Sequence, residues 1–260
     1  MSSPIWTREE LLASSLAVEA VAWRAVEAQH RVSTMKLVDS LSEQAALERV
    51  LEETKPAIPP DCAHLHYLLF SPFRYARGNP HSSRFRRAYA FEGVFYASAS
   101  PETAICEIVF YRFLFYAESP DTPLPGNAAE YTVFAVQLRA DPALDLTRPP
   151  MSAHLQVWMR PDDYAPCQAL ADDARKEKIE AICYPSVRDL QHRLNYAVLT
   201  PKAFAQPGPL AQQSWHLFLR NESALAKCEA PETGITFQKR DFDVASRIRV
   251  SDKSQIKKAH

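Results

Sequence analysis

Gly93-Val-Phe-Tyr-Ala-Ser-Ala-Ser-Pro-Glu-Thr-Ala-Ile-Cys-Glu-Ile-Val-Phe-Tyr111 joins a short strand to a helix and carries one residue that its surroundings make costly. Val94 to Ser98 is apolar and aromatic, which suits a half-buried strand. Ser100-Pro101 has the form of an N-cap followed by proline at the first helical position, and the pattern predicts a helix through about Ala117. Glu107 falls inside the apolar run of that helix, on one face with Ala104, Ile108 and Tyr111. A carboxylate so placed must be paired, hydrogen-bonded or protonated. Two arrangements satisfy it: a structural ion pair with an upstream arginine, or a cavity that the carboxylate faces.

The upstream loop supplies Arg74, Arg77, Arg84, Arg86 and Arg87, flanked by Tyr75, Phe85 and Tyr96. These are more cations than one carboxylate can use. Guanidinium forks recognise phosphate oxygens bidentately, and aromatic faces beside them suit a flat, charged ring with a phosphate tail. Single-stranded nucleic acid fits the same description. Downstream, Tyr184-Pro-Ser186-Val-Arg188-Asp189 forms a polar turn after an apolar strand, where Ser186 can donate to a ligand or satisfy its own turn. The chain has no Gly-x-Ser-x-Gly elbow, which argues against a hydrolase nucleophile.

Further out, His64 to Phe70 reads as a strand, Tyr131 to Leu138 as a buried strand and Asp163 to Lys178 as a helix. Ile179 to Tyr184, the alternating Trp215, Leu217 and Leu219, and Ile235 to Gln238 read as strands. Without strict βαβ alternation, the expectation is an α+β protein with a mixed sheet. Residues 1–60 read as a helical N-terminal extension. Thr7-Arg-Glu-Glu10 and Ser40-Leu-Ser-Glu43 have capping-box form; Leu12, Leu16, Ala20, Trp23 and Val26 recur at helical spacing; and Lys55-Pro-Ala-Ile-Pro-Pro60 ends the segment. Such helices fit a packing extension, a cover or a dimerisation arm, so a homodimer is compatible. Residues 61–238 make the folded core, and 239–260 a basic tail expected to fray.

Composition narrows the function. Among 260 residues, 30 are basic and 31 acidic, a balance that argues against direct nucleic-acid binding. Only five are glycine, with the closest pair, Gly78 and Gly93, too far apart for a dinucleotide fingerprint or a P-loop. Any phosphate must therefore be held by side chains. The five scattered cysteines suit reduced core thiols and a cytoplasmic protein. His64 and His66 would share a strand face but lack further ligands, so no metal is expected. The N-terminus lacks signal-peptide form, and no apolar run is long enough for a membrane span.

In order, Phe73-Arg74-Tyr75, Ser83-Arg84-Phe85, Gly93 to Ser98, Glu102 to Glu107 and Tyr184-Pro-Ser186 resemble the RES domain, over roughly Ala63 to Ala205. That family is named for its arginine, glutamate and serine and forms the toxin half of RES–Xre pairs. The resemblance implies an ADP-ribosyltransferase-like fold and an activity that degrades NAD by removing nicotinamide, with phosphate or water as acceptor. It implies NAD as substrate, no prosthetic group, and an Xre-like antitoxin as partner. Carried over, Arg74 and Arg84 are the family's arginines, Tyr75 and Tyr96 its tyrosines, Glu107 its glutamate and Ser186 its serine. Glu107, Arg74, Tyr96 and Ser186 would then be catalytic, with Arg74, Tyr75, Arg84, Tyr96 and Ser186 holding NAD. The chain departs from the pattern at Ser82-Ser83, where many members have glycines, and in the short Arg74–Arg84 spacing. This leaves Arg86 or Arg87 as substitutes for Arg84. Protein ADP-ribosylation from NAD is one alternative, and a non-catalytic arginine-rich module for RNA or protein is another.

Overall fold

A computed structural model describes residues 5–28 and 37–242. In chain order the elements are α1 (Arg8–Ala13), β1 (Ser15–Glu27), α2 (Leu41–Glu53), α3 (Tyr67–Arg74), β2 (Phe95–Ser98), α4 (Pro101–Glu118), β3 (Ala129–Asp145), α5 (Leu155–Trp158) and α6 (Ala165–Lys176). They continue with β4 (Ala181–Pro185), β5 (Leu194–Val198), β6 (Ala211–Leu219), β7 (Ser223–Cys228) and β8 (Thr233–Gln238). The strands form one mixed sheet in the order β1-β2-β5-β4-β3-β6-β7-β8, and β1 also pairs with β3. The pairings therefore run in a ring from β1 through β2, β5, β4 and β3 back to β1. From β3, the strands β6, β7 and β8 extend outward. Only β3 with β4 is parallel; the other neighbours are antiparallel. The protein is α+β.

The largest departure from the sequence reading is β1. Helical spacing of Leu12, Leu16, Ala20, Trp23 and Val26 predicted a helix; the chain instead leaves α1 at Ser14 and runs as a strand. It pairs with β3 from Ser15 opposite Leu144 to Glu27 opposite Tyr131, with a bulge between Leu16 and Val18. The same residues carry a period of two. Val18, Ala20, Ala22 and Val26 pack into one core, and Trp23 and Ala25 into the core on the other side. Among the described residues of 1–60, only Arg8–Ala13 and Leu41–Glu53 keep the helical reading. The first has the capping box, with Thr7 Oγ1 accepting from the Glu10 amide and the Glu10 carboxylate accepting from the Thr7 amide.

His64 to Phe70 is also not a strand. His66 caps α3, its Nδ1 accepting from the Leu68 amide at 3.3 Å. Leu68, Leu69 and Phe73 of α3 then pack against the sheet with Phe95 and Phe134. The strands β5 and β7 were not anticipated. At the C-terminal end Lys239–Asp241 makes one 3-10 turn and Phe242 is buried; the expected fraying of the remaining tail lies outside the described residues. Among the described residues no helix is long and apolar enough to cross a membrane.

Three apolar clusters surround the sheet. One is covered by α3, a second by α1, α6 and Trp158, and the third by Ile105, Val109, Phe110 and Phe113 of α4. The ring of strands and α3 meet at Gly93, just before β2. A Cβ built there would lie 2.6 Å from the Phe73 Cα and 2.6 Å from the Pro72 carbonyl oxygen, both backbone atoms of α3. Gly93→Ala should destabilise the protein by about 1–3 kcal/mol, because overpacking against backbone cannot be relieved by a rotamer change. Thermal unfolding followed by circular dichroism checks this; an unchanged Tm would mean that α3 can shift freely.

Candidate active site

The helix α4 begins as its sequence dictates. Ser100 Oγ accepts from the Thr103 amide at 3.2 Å, and Pro101 occupies the first turn. This phase sets Ala104, Glu107, Ile108 and Tyr111 along the wall of a cavity of about 270 Å³. Glu107 has no ion pair with an arginine among the described residues. Its Oε1 accepts from Ser186 Oγ and from Asn195 Nδ2, each at 2.7 Å. Ser186 is fully buried behind the carboxylate. Its Oγ already accepts from the amides of Arg188 at 3.2 Å and Asp189 at 3.0 Å, so its single proton is directed onto Glu107. A hydroxyl so committed is a fixed donor to the carboxylate, not a nucleophile.

The turn that carries Ser186 is tied to the start of α4. Asp189 accepts from Thr103 Oγ1 at 2.8 Å and from Arg193 Nε at 2.5 Å. Burial opposes its charge, but these donors hold its carboxyl below the ordinary carboxylate range.

Three guanidinium groups line the cavity: Arg24 from β1, Arg84 from the loop before β2, and Arg188 from the turn after β4. Arg24 donates through Nη1 to the Tyr96 carbonyl at 2.8 Å and lies over the Phe95 ring at 4.9 Å. Burial lowers its pKa to about 10, which keeps it charged at neutral pH. Arg84 donates through Nη1 to the carbonyls of Trp158 at 2.7 Å and Arg160 at 3.1 Å, and stacks over Tyr164 at 4.7 Å. Arg188 lies 3.7 Å from the centre of the Phe110 ring and donates to the Pro161 carbonyl at 3.3 Å. Among the described residues none of the three has a carboxylate within salt-bridge distance. Trp23, Tyr96, Tyr111, Tyr164 and Tyr184 supply the aromatic lining. The Tyr96 hydroxyl accepts from the Phe85 amide at 2.9 Å and bonds Ser83 Oγ at 2.8 Å, which ties the arginine loop to β2.

Of the residues singled out from sequence, Glu107, Tyr96 and Arg84 meet at the cavity, and Ser186 supports Glu107 from behind. Arg74 and Tyr75 do not reach it. Arg74 ends α3, where its Nε donates to the Pro56 carbonyl at 2.6 Å and its Nη1 pairs with Glu52 Oε1 at 2.7 Å. Tyr75 is exposed beside that guanidinium. The helical conformation of Phe73-Arg74 turns this arginine towards α2 and the proline segment that follows it. Nor do the substitutes fit: Arg86 donates to the His81 carbonyl, and Arg87 pairs with Asp172 at 2.7 Å. The first cavity arginine is instead Arg24, which the helical reading of β1 concealed. On a strand it shares its face with Val18, Ala20, Ala22 and Val26, a charged residue in an otherwise apolar alternation. Asn195 was also missed, although it is the polar residue of an apolar strand.

The fold and the cavity define an α+β protein in which a half-buried carboxylate, Glu107, shares a cavity wall with arginines and phenols. The family model of the RES domain matches residues 58–220, and the chain belongs to that family. No curated protein matches it. Among solved structures it is similar to a chain of the M. tuberculosis MbcT–MbcA toxin–antitoxin complex. The two share 14% identity over 81% of this chain and 91% of that chain, with a TM-score of 0.47.

Uncompensated guanidinium groups make the cavity an anion site. Inorganic pyrophosphate should bind with salt-sensitive affinity, measured by titration calorimetry. Arg24→Ala and Arg188→Ala should each weaken binding about 10-fold or more, since hydrogen bonds to charged groups are worth roughly 1.5–3 kcal/mol. Arg74→Ala should leave the affinity unchanged and lower Tm instead. Equal loss in all three would return Arg74 to the site.

Proposed function

We propose that this protein is the toxin of a type II toxin–antitoxin pair and degrades NAD by cleaving its nicotinamide–ribose bond. The observation that carries this reading is Glu107, whose carboxylate is fixed through one oxygen in a cavity lined by three arginines that have no acidic partner among the described residues. Its membership of the RES domain family supports the same reading. The site residues are Glu107, Tyr96, Arg84, Arg24 and Arg188, with Ser186 orienting the carboxylate.

The chemistry needs little else. As the bond between ribose C1′ and the nicotinamide nitrogen breaks, its electron pair leaves with the ring, which departs neutral. Positive charge develops on the sugar, and a preorganised carboxylate stabilises it. A phosphate oxygen then bonds C1′, completing phosphorolysis, or a water oxygen does so and releases a proton to solvent, completing hydrolysis. Arginine forks hold the pyrophosphate where a glycine-rich loop would do so in other nucleotide-binding proteins. The phenols line the space for the ring. A cavity of about 270 Å³ takes the nicotinamide–ribose end, since whole-ligand pockets run to roughly 300–1,000 Å³. The adenosine end extends towards solvent.

Such an enzyme must be silenced in the cell that makes it, and the partner in this reading is an antitoxin of the Xre type. Co-expression of that antitoxin should restore growth to cells that otherwise arrest.

Incubation of the purified protein with NAD should release nicotinamide, read by liquid chromatography with mass detection. The second product separates the routes: ADP-ribose 1″-phosphate from phosphate, free ADP-ribose from water, and adducts on protein from ADP-ribosylation. Glu107→Gln should keep the fold by circular dichroism and lose about 100-fold or more of the turnover, the usual scale for a removed electrostatic group. NAD depletion at the parent rate in that variant would refute the assignment.

A further inference from the structure

We propose that Asn195, oriented by Ser98, is the positioning residue that sets the Glu107 carboxylate for catalysis, an inference that rests on the NAD-cleaving reading of this site. Ser98 and Asn195 lie directly opposite each other on β2 and β5. Both are almost fully buried, with 3% of each exposed, and both border the cavity. Ser98 Oγ donates to Asn195 Oδ1 at 2.7 Å, and Asn195 Nδ2 donates to Glu107 Oε1 at 2.7 Å. The three side chains form a relay with one direction.

The direction follows from chemistry. A carboxylate only accepts, so the amide must present its nitrogen to Glu107; the reversed amide would set an oxygen against an oxygen. Ser98 selects the productive orientation because its hydroxyl can donate to the opposite end. Glutamate has three rotatable side-chain bonds, and Ser186 alone would pin one oxygen while leaving the carboxylate free to swing about it. A second donor from a different strand fixes the plane. Oε1 receives both donors, whereas Oε2 makes no hydrogen bond among the described residues. One oxygen is thus spent on alignment and the other is left for the ribose.

A purely structural role explains this pair poorly. Burying a hydroxyl and an amide between apolar strands costs free energy that Ala or Val at the same positions would avoid. The side-chain bonds that offset this cost join the two residues to each other and to Glu107.

The test compares Asn195→Ala, Asn195→Asp and Ser98→Ala with the parent in NAD cleavage, with crystal structures of the parent and Asn195→Ala. Asn195→Ala should lower kcat about 10- to 100-fold, the scale expected for a misplaced reacting group, with KM nearly constant. Ser98→Ala, which removes only one hydroxyl and keeps the fold, should lower kcat about 5-fold, as for one lost hydrogen bond. Asn195→Asp should move the acidic limb of the kcat profile to higher pH, because a second carboxylate then faces Glu107. The other titratable or charged groups near Glu107 (Cys106, Tyr111, Tyr184 and Arg188) are the same in all variants. The Asn195→Ala crystal structure should show Glu107 in more than one rotamer where the parent shows one. A kcat within twofold of the parent in Asn195→Ala, or a rise in KM alone, would overturn the proposal. If the parent itself leaves NAD intact, the NAD reading fails, and the Glu107 rotamers still decide whether Asn195 orients the carboxylate.

Discussion

A carboxylate inside an apolar helix face has to be solvated by the protein, and in this molecule that requirement ties distant parts of the chain together. The donors to Glu107 come from the turn after β4 and from β5, and the donor behind Asn195 comes from β2. None of these can move without leaving a buried polar group unsatisfied, at a cost of roughly 1–3 kcal/mol each. The turn that supplies Ser186 is itself anchored by Asp189 to Thr103, one helical turn before Glu107. The helix and the sheet therefore fix each other through the Glu107 carboxylate, and the packing of Ile105, Val109 and Phe110 against β3 and β6 supplies the apolar part of the same junction.

The ring of strands does for the arginines what α4 does for the glutamate. Because β1 bonds both β2 and β3, it crosses the site instead of lying at a sheet edge, and Arg24 reaches the back of the cavity across Phe95. Arg84 arrives on a loop whose conformation is held by the Tyr96 hydroxyl from β2. A single strand, β2, thus places a phenol, a carbonyl for Arg24 and the hydroxyl of Ser98 in one short run.

Local signals were readable where they were sufficient. The Ser100-Pro101 cap, the phase of α4 and the exceptional position of Glu107 follow from sequence neighbours alone, and so do Tyr96 in its short strand and Ser186 at its strand end. β1 was not readable, because its residues satisfy both a period of 3.6 and a period of two. The decision is made by β3, more than 100 residues further along the chain, and no local window contains it. Arg24 was lost with that decision. Arg74 shows the converse error: in a cluster of arginines, residue type cannot say which guanidinium will find a carboxylate and a carbonyl outside the cavity. Glu52 and Pro56 capture it. Asn195 needed the β2–β5 register before its partners could be known.

The way the cavity arginines are held accounts for their usefulness. Burying a guanidinium normally calls for a carboxylate beside it, but a carboxylate would cancel the positive field in the cavity. Here the hydrogen-bond acceptors are carbonyl oxygens: Tyr96 for Arg24, Trp158 and Arg160 for Arg84, and Pro161 for Arg188. Rings at 4.9, 4.7 and 3.7 Å add their π-faces. Dipoles and quadrupoles steady a cation without neutralising it. The stabilisation is incomplete, as the lowering of Arg24 to about 10 shows, yet the group stays charged at neutral pH. A chain with five scattered glycines has no glycine-rich loop to wrap backbone amides around a phosphate, and the positive field of this cavity comes from its arginine side chains. Supporting those side chains with neutral groups leaves Glu107, among the described residues, as the single acid on the cavity wall.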